Sequence, residues 1–166
     1  MTDFILVDAQ RCIACRTCEV ASAQAHLPQG MLTKAAFLPR LNVYKSPQAS
    51  APAICRQCEN APCVGSCPTG ALSLDKQLVR ADASRCIGCK NCIVACPFGA
   101  ISIEPSADSA SAEILKCDLC STREAGPACV EVCPTFALKL LRAGELTALK
   151  DKRAKETGHN AFLLHL

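Results

Sequence analysis

The chain has 166 residues, enough for one compact unit or two very small ones. Half of it is hydrophobic, yet with five Phe, one Tyr and no Trp the large side chains that normally fill a core are scarce, and fifteen cysteines stand in their place. The formal charge of +3 counts every thiol as neutral; as metal-bound thiolates the cysteines would reverse its sign, and with no Lys/Arg stripe or aromatic stacking platform there is no case for a nucleic-acid partner.

In chain order, Phe4-Ile5-Leu6-Val7 reads as a first strand, flanked by Asp3 and Asp8. No basic region precedes an apolar stretch, no twin-arginine pair stands near the start, and no apolar run approaches the ~20 residues that span a bilayer. These features predict a cytoplasmic chain whose thiols stay reduced. Cys12, Cys15 and Cys18 form the first group, with Ser22 at the position where a fourth cysteine would stand. His26 lies four residues past Ser22 and shares its face if this stretch is helical, either replacing the missing thiolate or serving as an ordinary satisfied histidine.

The second group is Cys55, Cys58, Cys63 and Cys67, ending in Cys67-Pro68. Residues 71–75 and 77–81 alternate with period two about a short polar turn, as a hairpin does. Cys86, Cys89, Cys92 and Cys96, followed by Pro97, match the bacterial ferredoxin run C-x₂-C-x₂-C-x₃-C-P. Residues 100–104 read as a strand, and Pro105 to Glu113, rich in Ser, Ala and Asp, as a solvated connection. Cys117, Cys120, Cys129 and Cys133 form the fourth group, ending in Cys133-Pro134, and residues 137–141 supply another strand. The run from Gly144 to Glu156 favours helix, Gly158 is expected to break it, and four large apolar residues among the last five ask for a partner surface.

Disulfides, zinc and iron–sulfur clusters are the three uses of so many cysteines. Reduced thiols remove the first. Zinc knuckles come in pairs, whereas these are triplets with a fourth cysteine three residues on and proline after it, so clusters are the better reading. In two-cluster ferredoxins the fourth cysteine of a run ligates the other cluster. By that rule Cys55, Cys58 and Cys63 share a cluster with Cys96, and Cys86, Cys89 and Cys92 with Cys67. Cys12, Cys15 and Cys18 take Cys133, and Cys117, Cys120 and Cys129 are left with Ser22, which predicts an altered or [3Fe-4S] cluster there beside three of the [4Fe-4S] kind. The expected fold is α+β, with two ferredoxin-like two-cluster modules nested one within the other: an outer module of residues 1–51 plus 106–142, an inner module of 52–105, and a C-terminal helix and apolar docking tail at 143–166.

Arg16, Arg56, Lys90 and Lys116 lie between or beside ligands and either tune cluster potential or serve as solvated surface charges; Asp118 and Glu131 read as surface acids rather than catalysts. Gly88 lets its ligand loop turn tightly, and Pro68, Pro97 and Pro134 set the path after each fourth cysteine. Nothing resembles a nucleophile–base pair or a substrate pocket, so no catalytic residue is expected and the chain reads as no enzyme on its own.

Residues 11–21, Cys55-Arg56-Gln57-Cys58 and Lys116-Cys117-Asp118-Leu119-Cys120 resemble the four-cluster electron-transfer subunits of formate dehydrogenases, formate hydrogenlyase and related molybdenum or tungsten oxidoreductases such as aldehyde oxidoreductases. The resemblance covers residues 3–142 and departs from the family at Ser22 and in having no C-terminal membrane helix. It implies an electron relay with a large molybdenum or tungsten catalytic subunit on one side and an electron-accepting subunit on the other. Self-association into a longer wire is a further expectation; a diffusible polyferredoxin and a cluster-carrying maturation protein are the rival readings.

Overall fold

The computed structural model describes residues 2–27, 33, 37–105 and 112–163, with side chains through residue 158. The elements are short because the cysteine groups interrupt the chain every few tens of residues. They run β1 (Phe4–Val7), α1 (Thr17–Ala25), β2 (Asn42–Lys45), β3 (Ser50–Ala53), α2 (Pro62–Gly65), β4 (Leu72–Asp75), β5 (Leu78–Ala81), α3 (Asn91–Ala95), β6 (Ser102–Pro105), β7 (Ala112–Leu115), α4 (Ala128–Glu131), β8 (Leu138–Leu141) and α5 (Glu145–Leu163). The class is α+β, as expected.

All strands pair antiparallel in four two-stranded ladders: β1 with β8, β2 with β3, β4 with β5, and β6 with β7. The first ladder sets Phe4 opposite Leu141 and Val7 opposite Leu138, joining the two ends of the cysteine-bearing region as the sequence predicts. The β4–β5 hairpin also follows its alternation, with Leu72 and Val79 nearly inaccessible. Its two-residue turn holds Lys76 and Gln77 at φ 44° and 71°, the doubly left-handed geometry that suits Asn-Gly best.

Two expectations need correction, and one ladder is new. Pro105 to Glu113 is not all connection: Pro105 ends β6, and Ala112 and Glu113 open β7, with Ile103 facing Ile114 across the ladder; residues 106–111 lie outside the described residues. This ladder pairs a strand of the expected inner segment with one of the outer, so the sheets do not follow the nested boundaries. The β2–β3 ladder was not anticipated, because its strands are four residues each and contain Pro52. Gly158 does not break α5, which runs on to Leu163; one glycine costs a helix only about 1 kcal/mol. The side chains of the apolar tail at 161–166 lie outside the described residues.

Two cores form. Ile5, Leu41, Val43 and Leu138 surround Cys18, Cys55, Cys117 and Cys129 in one. Leu72, Val79, Ile101 and Ile114 surround Cys63 and Cys92 in the other. Helix α1 packs on α4, and α2 on α3, which places each cysteine triplet beside the one the pairing rule assigns to it. Sulfur occupies the space that aromatic side chains fill elsewhere.

Candidate metal centres

One loop is built four times. The second residue between the first two cysteines of each group lies in the left-handed region: Ala14 (φ 56°), Gln57 (49°), Gly88 (69°) and Leu119 (58°). Only Gly88 is a glycine, so the other three hold a conformation that costs a side-chain-bearing residue about 1–2 kcal/mol. The turn brings the following amide back toward sulfur, as when Leu119 N–H donates to Cys117 Sγ at 3.4 Å. A second repeat follows each Cys-Pro pair, where Gly70, Gly99 and Phe136 are left-handed and donate their N–H to the carbonyls of Cys67, Cys96 and Cys133. Burial works against the Cys67 and Cys133 thiols. Backbone N–H groups two, four and five residues on and the hydroxyls of Thr69 and Thr135 outweigh it and hold both below the ordinary thiol range. Hydrogen bonds to a charged sulfur favour the thiolate.

The groups converge. Cys12, Cys15, Cys18 and Cys133 line one hollow. Cys55, Cys58, Cys63 and Cys96 line a second. Cys117, Cys120 and Cys129 line a third together with Ser22 and His26. Cys92 is raised by burial and feels the charges of Cys67 and Cys86, so the fourth set also gathers; Cys89, between them in sequence, is exposed. Burial pushes Cys18 and Cys63 up to about 11 and Cys117 up to about 12, and Cys129 goes up as well. Neighbouring sulfurs add to this: Cys129 feels Cys18, and Cys117 feels Cys55.

These donors fit iron–sulfur clusters. Thiolates suit zinc and iron–sulfur groups among the common metals. A tetrahedral zinc with Zn–S near 2.3 Å holds its sulfurs about 3.8 Å apart. Among the described residues, the one trio of His, Cys, Asp or Glu ligand atoms lying within 4.8 Å of one another comes from His26, Asp118 and Cys120; no three thiols do so. The sulfurs stand wider than a single ion needs, as a multi-iron group requires.

The Ser22 hollow has a polar wall that the sequence did not suggest. Ser22 Oγ accepts the Arg40 N–H at 3.1 Å. His26 Nδ1 lies 2.7 Å from the Ser22 carbonyl oxygen, and its Nε2 lies 3.1 Å from Asp118 Oδ1. Both ring nitrogens therefore face oxygen atoms. Arg40 Nη1 donates to Asp118 Oδ2 at 2.8 Å, and the Cys120 N–H donates to Oδ1 at 3.0 Å. Burial alone would push Asp118 up; the His26 bond, the Arg40 and His26 charges and the Cys120 amide hold it down at about 2. Asp118 is therefore no free surface acid, and both His26 nitrogens are engaged.

Of the two alternatives open for Lys116, burial removes the solvated surface charge: it is 2% exposed, and Gln57 is fully buried. Arg16 reaches Glu19 and the Val43 carbonyl, and Arg56 lies over the Phe98 ring, 5.9 Å from its centroid. Glu131 is an exposed partner of Arg123. No pattern of period or spacing marks the burial of Lys116 or Gln57; the one clue is that each sits inside or against a ligand loop.

Residues 48–143 match the family model of the 4Fe-4S dicluster domain. The chain belongs to the 4Fe-4S dicluster family. Membership bears out the expected kinship with ferredoxin-type electron-transfer subunits. Electron transport protein HydN of Escherichia coli K12 is 44% identical over 173 residues, covering 95% of this chain and 98% of that one. Formate hydrogenlyase subunit 2 of the same strain is 34% identical over 192 residues, covering 98% and 93%. A solved chain of the active site complex BamBC of benzoyl coenzyme A reductase aligns at 20% identity and a TM-score of 0.46, covering 92% of this dicluster protein and 89% of that chain. No described helix is long and apolar enough to cross a membrane.

Proposed function

We propose that this chain is the electron-relay subunit of a multi-subunit molybdenum- or tungsten-dependent oxidoreductase, holding four clusters in the cytoplasm and carrying out no chemistry on a substrate itself. Bound clusters supply one-electron chemistry. The ligands are the fifteen cysteines in the pairing described above, with Ser22 facing the open iron of the Cys117, Cys120 and Cys129 site.

The observation that carries the reading is the order of the hollows. Cys18 adjoins Cys129, Cys117 adjoins Cys55, and Cys63 shares a core with Cys92. These adjacencies support an order of sites running Cys12/Cys133, Cys117/Ser22, Cys55/Cys96 and Cys86/Cys67. The exposed thiols, Cys15 and Cys89, belong to the two ends of that line. Each end carries exposed apolar side chains, Ile13 and Phe136 at one and Ile87 and Val94 at the other. Apolar patches around a terminal site suit docked partners, one donating electrons and one accepting them. The names of HydN and of formate hydrogenlyase subunit 2 support electron transport and assembly into a larger complex.

Anaerobic purification from the native host at low salt tests this. The chain should carry on the order of 15–16 irons with matching acid-labile sulfide and no stoichiometric zinc, and it should arrive with a large subunit containing molybdenum or tungsten. A chain that elutes alone with full clusters would make it a diffusible carrier; zinc without sulfide would end the cluster reading.

A further inference from the structure

The two middle hollows meet across a closed ring of hydrogen bonds. Val79 N–H donates to Gln57 Oε1 at 3.0 Å, and Gln57 Nε2 donates to the Cys117 carbonyl oxygen at 2.7 Å. Lys116 Nζ donates to that same carbonyl at 2.6 Å and to the Val79 carbonyl at 2.5 Å, closing the ring. Gln57 belongs to the loop between Cys55 and Cys58, Val79 lines the hollow of that group, and Cys117 opens the next group.

Among the described residues no carboxylate pairs with Lys116. A buried ammonium so placed is costly unless negative charge lies nearby. Glu113 and Asp118 line an open hollow with Lys116 without bonding it, and the thiol sites on either side lie within reach of its charge, Cys63 in one hollow and Cys117 in the other.

We propose that Lys116 is the shared counter-charge of the two middle clusters, a fixed cation that favours electron uptake at both, while the ring through Gln57 and Val79 keeps the two ligand loops at one spacing. The inference rests on the relay reading above. Taking up an electron from a reduced partner makes a cluster site more negative by one charge, with no bond broken and no proton moved. An ammonium out of water acts on that added charge far more strongly than a solvated one. Arg16 and Lys90, beside the outer hollows, are largely exposed and lack that leverage. Each middle site therefore sits at a higher potential than it would without the Lys116 charge.

Redox titration of the loaded protein, followed by electron paramagnetic resonance, tests the assignment with Lys116→Met, which keeps volume and removes charge. Two of the four midpoint potentials should move negative while two stay, and Lys116→Arg should keep all four near wild type. Four unmoved potentials at full iron content, or four shifted alike, would overturn the proposal. Should Lys116→Met fail to take up its clusters, the iron content of Lys116→Arg decides. Full loading there upholds the need for the charge, and loss there as well overturns it. A wild-type chain without four clusters would instead defeat the relay reading itself.

Discussion

Ser22 Oγ accepts the backbone N–H of Arg40 at 3.1 Å, and this bond sets a hydroxyl oxygen on the wall of a hollow where the other three groups present a fourth thiol. Serine is a harder and poorer iron ligand than thiolate. The native protein should therefore show one cluster signal distinct from the rest. Ser22→Cys should convert that signal to the all-cysteine type and leave the other three untouched, read by electron paramagnetic resonance. A native spectrum with four indistinguishable all-cysteine sites would count against this assignment.

The β4–β5 turn offers a test far from sulfur. Lys76 and Gln77 both hold positive φ and both side chains are exposed, so the strain is local. Replacing the pair by Asn-Gly should stabilise the loaded protein by about 1 kcal/mol, less than the summed cost of two left-handed non-glycines because Asn keeps its Cβ and Gly adds entropy to the unfolded chain. A higher unfolding midpoint in urea, with unchanged iron, is the expected result; no change would mean that other contacts of Lys76 or Gln77 offset the relief.

Cluster removal should reverse the pH dependence of stability. In the unloaded fold, burial raises Cys18 and Cys63 to about 11 and Cys117 to about 12, against 9.0 for the ordinary thiol. A raised folded-state value means that stabilisation is full below about pH 9 and is lost as pH climbs toward 11–12, because the unfolded chain gives up its protons first. Loaded protein needs these same thiols as thiolates, so cluster uptake releases protons and is favoured by rising pH. Chelated protein should melt lower at pH 10 than at pH 7, and reconstitution in weak buffer should acidify the medium. Reconstitution without proton release would contradict the buried neutral thiols.

What was legible beforehand divides along physical lines. The β1–β8 ladder rests on short apolar runs and the β4–β5 hairpin on local alternation, so both could be read directly. The β6–β7 ladder could not, because Ala112-Glu113-Ile114-Leu115 follows a polar stretch and becomes a strand only when Ile114 finds Ile103. Cysteine spacing announced where the thiols gather. It could not announce Lys116 or Gln57, whose burial depends on the carbonyls of Val79 and Cys117 arriving from other parts of the chain. Tertiary context also decided Asp118, which looked solvated until Arg40 and His26 closed on it.

Helix α5 gives a fourth prediction. Its side chains from Glu145 to Glu156 are almost all exposed, and Arg142 N–H bonds to Glu145 Oε2 at 3.0 Å as the helix begins. A helix polar nearly all round contributes little to the body it leaves. Deleting residues 144–166 while keeping Ala143, whose N–H donates to Asp3 Oδ1 at 2.9 Å, should leave iron content and melting temperature close to wild type. The purified complex should fall in mass by more than the missing segment. Unchanged assembly by light scattering would show that α5 docks on no partner.

The two solvent-facing thiols have a consequence for survival in air. Cys15 and Cys89 are the exposed cysteines of the chain, while their neighbours along the line are buried or half-buried. Oxidants reach sulfur according to exposure, so damage would begin at the outermost corners and advance inward. A chain that has lost its tips would keep intact clusters in the middle with no route in or out. Such a protein would retain about half of its iron and colour while being dead as a conductor, and iron content alone would overstate how much of an aged preparation still works.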